Sequence, residues 1–284
     1  MQDHDHSQEA RDETQHAVEG AAGRPGALPA AESAYLDRVV AILQQRLGQR
    51  LLGVYLFGSA AYGDYEPGIS DLDVQAVLTT LLDKQMCREI AASLTHRVLP
   101  CPARRLELVI YARPAIDPAA RHPRFDLNLN TGAGEDDHLV LDPAEESSHW
   151  FLLDIAMGHE LGRSLLGPQP AKVFAPIPRR WCLEAIGDSL AWHRRHESAS
   201  ANSVLNACRG WRYAVTGTFG SKLAGAAWAR RQPNCPSVVA QAEQRRLGGP
   251  PLSAAEVTEL VEIVGAAVRA ALLREQDAGW QQKL

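Results

Sequence analysis

Clustered positive charge is the first thing this chain lacks. Its 29 Lys and Arg are outnumbered by 34 Asp and Glu, a net charge of −5. That balance excludes a dedicated nucleic-acid binder, whose phosphate contacts need grouped basic side chains, although a local basic pocket remains compatible. No apolar run approaches the length of a membrane span, and the N-terminus has no signal-peptide core, so a cytoplasmic protein without a membrane partner is expected. The five cysteines (Cys87, Cys101, Cys182, Cys208, Cys235) are scattered and odd in number, with no Cys-x-x-Cys. Neither a disulfide framework nor a zinc site is indicated; reduced, packed thiols are. Large apolar groups are nearly missing from residues 1–31, which cannot bury enough surface to offset their ordering entropy, so a disordered leader is expected there. His4, His6 and His16 are too few and too loosely spaced for a metal tract, and a solvated tail is the plainer reading. The chain of 284 residues is long enough for two cores.

What is present centres on Tyr55–Gly63 (YLFGSAAYG) and Gly68–Val74 (GISDLDV). The order is a hydrophobic strand over Leu51–Phe57, a small-residue turn at Gly58 and Ser59, a loop, and a second strand carrying Asp71 and Asp73. Gly58 and Ser59 offer backbone N–H groups and a hydroxyl at one spot with no bulky Cβ at the glycine, which suits phosphate oxygens. Asp71 and Asp73 are two apart, so on a strand they share a face. Two such carboxylates repel unless a cation sits between them, and hard oxygens suit Mg²⁺ bridging to nucleotide phosphates. Either half alone is unremarkable, since turns after strands often hold Gly-Ser and acidic pairs are often solvated. The joint order points to a metal–nucleotide site.

The spacing of Tyr35, Val39, Ile42, Leu43 and Leu47 predicts a helix capped by Ser33 and stopped by Gly48. A further helix is expected over 81–98, with Met86, Ile90, Leu94 and Val98 along one face and Pro100 and Pro102 beyond its end. Leu106–Tyr111 (LELVIY) reads as a third strand. Its carboxylate, Glu107, either joins Asp71 and Asp73 on one face or sits at an exposed strand entrance; the sequence leaves both open. Asp126–Asn130 and His138–Leu141 read as short strands around an exposed loop at 132–137. Trp150–Leu166 reads as one helix closed by Gly167-Pro168. From there no strand signals remain, and helices are expected near 178–196, 202–216, 220–231, 237–247 and 253–275. The division is a leader over 1–31, an α+β domain over 32–147 and an all-helical bundle over 148–284. In the bundle, Arg209 is either a snorkelling surface arginine or points into the cleft between domains, and a lone lysine such as Lys222 is usually solvated. Trp181, Trp192, Trp211 and Trp228 read as core rather than as a ligand cage.

The series Gly58-Ser59, Ser70-Asp71-x-Asp73, Glu107 resembles the polymerase β-like nucleotidyltransferase superfamily. The later run from Arg209 (RGWRYAVTG) through Lys222 to Ala227-Trp228-Ala229 is similar to the C-terminal domain of the aminoglycoside 3″ (and 9) adenylyltransferases, the streptomycin and spectinomycin resistance enzymes. The likeness covers about residues 35–275. It implies an N-terminal polymerase β-like nucleotidyltransferase sheet with flanking helices and a C-terminal helical bundle. It also implies transfer of AMP from ATP, with Mg²⁺, to a hydroxyl of an aminoglycoside-like small molecule, with release of pyrophosphate. Position by position it makes Asp71 and Asp73 metal ligands and Glu107 the carboxylate that takes the hydroxyl proton. Gly58 and Ser59 become the phosphate cradle, and Arg209 and Lys222 the basic residues reaching the ATP phosphates. Trp192 and Glu197 fall near drug-holding positions. The surrounding segment departs from the family by being shorter and more basic, with Ala199 where an acid is expected.

Acids that could receive a cationic acceptor are Glu107, Asp126, Glu135, Asp136, Asp137, Glu145 and Glu146. Two rival readings stand beside this one: a nucleotidyltransferase with a protein or other small-molecule acceptor, and a non-catalytic nucleotide- or drug-binding module. All three carboxylates being present weighs against the second. A cleft built within one chain makes a monomer the simplest expectation.

Overall fold

The computed structural model describes residues 27–281, and side chains to 277. Most of the expected leader, with His4, His6 and His16, lies outside the described residues. The last of it opens a helix: α1 runs Ala30–Leu47. Ser33 is therefore not the cap. Its N–H already donates to Pro29 O (3.1 Å), because the alanines at 30 and 31 favour the helix and carry it a turn further back. Tyr35, Leu36, Val39, Leu43 and Leu47 are buried, and Gly48 at φ 53° ends the helix as expected.

Six strands form one sheet in the order β5-β4-β3-β2-β1-β6. They are β1 (Leu51–Leu56), β2 (Leu72–Leu78), β3 (Arg105–Ala112), β4 (Leu127–Gly132), β5 (His138–Val140) and β6 (Arg163–Leu166). β2 and β3 are parallel and the other pairs antiparallel. Gly58 and Ser59 do not form a bare turn but begin a short helix, α2 (Gly58–Tyr62). The helix expected over 81–98 is only α3, Lys84–Leu94. Asp83 caps it by accepting from Met86 N (2.8 Å), and Thr95 turns extended so that His96 N can donate to Thr131 Oγ1 (2.7 Å) on β4. Leu81 and Val98, the expected ends of that helix, are 71% and 59% exposed.

The run expected to be one helix over Trp150–Leu166 is two elements. α4 (Ser148–Leu161) stops before Gly162, and the chain then becomes β6, pairing antiparallel with β1. Leu165 and Leu166 continue the apolar spacing of the helix, which hid the strand; Gly162 was the readable break. The division expected near residue 147 is thus crossed again when β6 returns to the sheet. The remaining helices are α5 (Arg179–His196), α6 (Ala201–Thr216), α7 (Lys222–Ala229), α8 (Val238–Arg246) and α9 (Ala254–Gln281). They lie close to the expected segments. No helix among the described residues is long and apolar enough to cross a membrane.

Strand alternation sorts the core into layers. Val54, Leu56, Val74, Ala76, Leu108 and Ile110 face α1 and α3. Tyr55, Phe57, Val77, Val109 and Tyr111 face the other way, against Phe151 and Ile155 of α4. α4 is shared: its Leu152, Leu153, Ala156 and Met157 belong to the core of the helical half. Its Gly158 lies against the Phe57 ring so closely that a Cβ would overlap the ring. Gly158→Ala is accordingly expected to destabilise the protein by about 1–3 kcal/mol, even though alanine is the better helix former, because overpacking outweighs propensity here. Thermal unfolding measures this, and Phe57→Leu in the same chain should recover part of the loss.

Candidate active site

The face covered by α4 is also the face that carries the acids. Because β2 and β3 are parallel, Asp73 and Glu107 are direct register partners, and residues in register on adjacent strands project side by side. This resolves Glu107: it stands beside Asp73 rather than at an exposed strand entrance. Gly58 opens α2 next to them at φ 59°, and a Cβ there would collide with the Asp73 carboxylate. No side chain caps α2, so the N–H groups of its first turn lack the usual intrahelical carbonyl partners, and that of Gly58 meets the Tyr62 phenol oxygen.

Two arginines that the sequence reading passed over occupy the acids. Arg104 grips Asp71 with both arms of its guanidinium, at 2.8 Å and 2.7 Å. Arg105 pairs with Glu107 and lies 3.5 Å from Asp71 and 3.6 Å from Glu135. The three carboxylates are therefore not gathered into one cage, and no group of three or more His, Cys, Asp or Glu among the described residues is arranged to hold a metal. Asp73, with Asp71 two residues before it, nevertheless offers hard carboxylate oxygens of the type Mg²⁺ takes once Asp71 is free of Arg104.

Charge also arrives from the helical half. Asp154 on α4, Arg209 on α6 and Lys222 at the start of α7 are each hemmed in by protein while keeping partial solvent contact, as in a recessed cleft. Gly225 sets the spacing of α6 and α7, since a Cβ there would stand 2.7 Å from the backbone N and Cα of Arg209. Burial is the main force on Asp73, Glu107, Asp154, Arg209 and Lys222. It raises Asp73, with repulsion from Asp154 and Asp71 adding to it, and raises Glu107, with repulsion from Asp73 adding to it. It pushes Asp154 up to about 7 against the pull of Arg209. It lowers Lys222, where Arg209 adds repulsion, and lowers Arg209 against the opposing attraction of Asp154, Tyr62 and Asp73. The phenol of Tyr62, at the end of α2, sits in the same field of Asp154, Asp73 and Arg209. The structure thus brings Gly58, Ser59, Asp73, Glu107, Arg209 and Lys222 to one cleft, with Asp71 at its rim under Arg104.

Residues 36–85 match the nucleotidyltransferase domain family, and residues 172–269 match the aminoglycoside adenylyltransferase C-terminal domain. Both halves of the chain are thus similar to parts of aminoglycoside adenylyltransferases. An aminoglycoside (3″)(9) adenylyltransferase of Klebsiella pneumoniae is 28% identical over 242 residues, 82% of this chain and 92% of the relative. A spectinomycin 9-adenylyltransferase of Staphylococcus aureus is 27% identical over 199 residues, 66% of this chain and 74% of the relative. The solved structure of a spectinomycin adenyltransferase from Enterococcus faecialis with ATP and spectinomycin matches with a TM-score of 0.63. It covers 84% of this chain and 99% of that one at 21% identity, a likeness of fold.

The two residues expected near the drug lie in the helical half. Trp192 packs edge-on against Trp150 (centroids 5.2 Å) and beside His196 (4.8 Å). Glu197 joins a network that ends on the cleft cations. It accepts from Ser200 Oγ (3.0 Å) and Asn202 Nδ2 (3.2 Å) and pairs with His193 (3.2 Å). Asn202 Oδ1 in turn accepts from Lys222 Nζ (2.7 Å), and Asn206 Oδ1 from Arg209 (2.8 Å). Ala199 and Glu197 line a cavity of about 530 Å³ that also reaches Arg245 and Arg246. Several of the candidate loop acids already have partners: Asp126 accepts from Leu82 N, Asp137 from Thr131, and Glu146 pairs with His138.

Asp154 is the acid that sequence reasoning missed, since a lone carboxylate between Leu153 and Ile155 carries no motif of its own. Its folded value near 7 lies above the ordinary carboxylate value of about 3.9. Its contribution to stability is therefore present below about pH 4 and lost as the pH rises through 7. Asp154→Asn cannot titrate, so the fall in unfolding temperature of the ligand-free protein between pH 4 and 8 should be shallower than in the parent. Identical slopes would count against this placement of Asp154.

Proposed function

We propose that the chain is an enzyme that transfers AMP from ATP to a hydroxyl of an aminoglycoside-type antibiotic, spectinomycin or streptomycin, in a Mg²⁺-dependent reaction that releases pyrophosphate. The observation carrying this reading is the in-register pair Asp73 and Glu107, set beside the opening of α2 and faced by Arg209 and Lys222 from the other half. Residues 32–147 would form the nucleotidyltransferase domain and 148–284 the helical one, with β6 returned to the sheet. The two domain matches and the curated relatives support the reaction class; the relatives' names supply the acceptor.

In this mechanism Gly58 and Ser59 seat phosphate oxygens. Asp71 and Asp73 would hold Mg²⁺, with Asp71 first leaving the fork of Arg104, and the ion would neutralise charge shifting onto the phosphates. Glu107 accepts the proton as the acceptor hydroxyl oxygen bonds to the α-phosphorus. Its raised affinity for a proton suits a base working near neutrality. The bond from the α-phosphorus to the bridging oxygen breaks, and its electrons leave on pyrophosphate, where Arg209 and Lys222 meet the growing charge. The acceptor would lie toward the cavity of about 530 Å³ beside Glu197, a volume in the range of about 300–1,000 Å³ usual for small-molecule sites. With both sets of groups in one chain, a monomer suffices, acting in the cytoplasm on small molecules.

The test is a panel of aminoglycosides and spectinomycin with ATP and Mg²⁺, read by pyrophosphate release against a drug-free control. Turnover is expected with spectinomycin or streptomycin. Asp73→Asn or Glu107→Gln should lower it by at least ~10²-fold, the usual scale for losing a general base or a metal ligand. A folded, ATP-binding protein idle with every drug would remove the acceptor assignment.

A further inference from the structure

Between the α2 cradle and Asp71 runs the loop 63–70, and the helical half takes hold of it at both ends. At one end Asp64 Oδ2 accepts a hydrogen bond from the backbone N–H of Leu223, at 3.0 Å and across 159 residues of sequence. Leu223 is the second residue of α7, and Ser221 Oγ accepts from the next N–H, that of Ala224 (3.1 Å). The first turn of α7 is thus capped half from its own chain and half from the nucleotidyltransferase loop, with a carboxylate at the end of the helix where negative charge is favoured. At the other end Arg246, the last residue of α8, donates to Ser70 Oγ (3.0 Å) and Asp64 O (3.3 Å). Ser70 is buried, also accepts from Glu66 N (3.0 Å), and its carbonyl accepts from Arg104 N (3.2 Å). Arg104 is the residue that grips Asp71.

We propose that Asp64 and Arg246 are positioning residues that lock the loop 63–70 between the two halves, and that Asp64, by capping α7, sets where Lys222 stands over the nucleotide. Lys222 is the first residue of α7, so a helix end free to fray would let its ammonium wander, while one tied to the loop beside the phosphate cradle holds it in register with that cradle. The inference rests on the nucleotide role given above to Lys222. It assigns Asp64 no contact with substrate; its effect passes through the helix end.

The experiment is a double-mutant cycle on ATP affinity, measured by calorimetry with Mg²⁺ on the full chain, with thermal unfolding recorded in parallel. Asp64→Ala should weaken ATP binding about fivefold, the scale of a lost helix cap, when Lys222 is present. In a Lys222→Ala chain it should change ATP affinity less than about twofold, although the fall in unfolding temperature persists, because coupled residues are non-additive. Asp64→Asn, whose amide oxygen can still accept from Leu223, should restore most of the affinity. If Asp64→Ala does not fold, Asp64→Ser, too short to reach the helix, is read in the same two backgrounds. Equal losses with and without Lys222, or no loss in either, overturn the proposal. A Lys222→Ala chain that binds ATP as well as the parent overturns the nucleotide role of Lys222 together with it, which separates the two failures.

Discussion

Two carboxylates held side by side on adjacent parallel strands, Asp73 against Glu107, are the constraint around which the other charges are arranged. A sheet fixes register within a fraction of a residue, so these acids cannot turn away from one another as they could in a loop. Enclosure makes the repulsion worse, and only positive charge brought from elsewhere relieves it. Arg105 does this from within the sheet; Arg209 and Lys222 do it from helices more than a hundred residues later. A second cost accompanies that solution, because Arg209 and Lys222 repel each other and are themselves enclosed. Asp154, on the helix shared by both halves, attracts both Arg209 and Lys222. The cleft is thus a set of mutually dependent charges.

The division of labour between the halves follows from strand alternation. One face of the sheet is sealed by α1 and α3 over an apolar core, interrupted on β4 by Thr131, which meets His96 N. The opposite face is apolar beneath α4 and polar at the edge where β2 and β3 begin, so the site opens where the apolar cover ends. Alternation with period two therefore places both the core and the chemistry, and a one-residue slip of β2 would exchange them.

Much of this was legible in the chain because it is local. The hydrophobic strand running into Gly58, the two-residue spacing of Asp71 and Asp73, and the lone acid in LELVIY each carry a local signal, and the helices from 179 onward follow their apolar period. Three things were not legible. β6 kept the helical spacing of the leucines before it, so only Gly162 could have betrayed it. Arg104 and Arg105 were ordinary basic residues until the parallel pairing brought Asp71 within their reach. Asp154, Asp64 and Arg246 depend on contacts between halves, which no window of sequence contains. Ser33 and Val98 show the opposite limit, where a plausible cap and a plausible period lost to stronger neighbours: the alanines before the serine, and the pairing of His96 with β4.

β6 also bears on how such a protein can be taken apart. It covers the outer edge of β1, and an uncovered strand edge is a template for pairing with other chains. A fragment ended at residue 147 would keep the cradle and all three acids of the sheet yet present β1 bare to any neighbour. Grafting a different helical half onto this sheet, whether by recombination or by an engineer, is therefore best done after residue 166, where the chain has already returned the strand that closes the sheet.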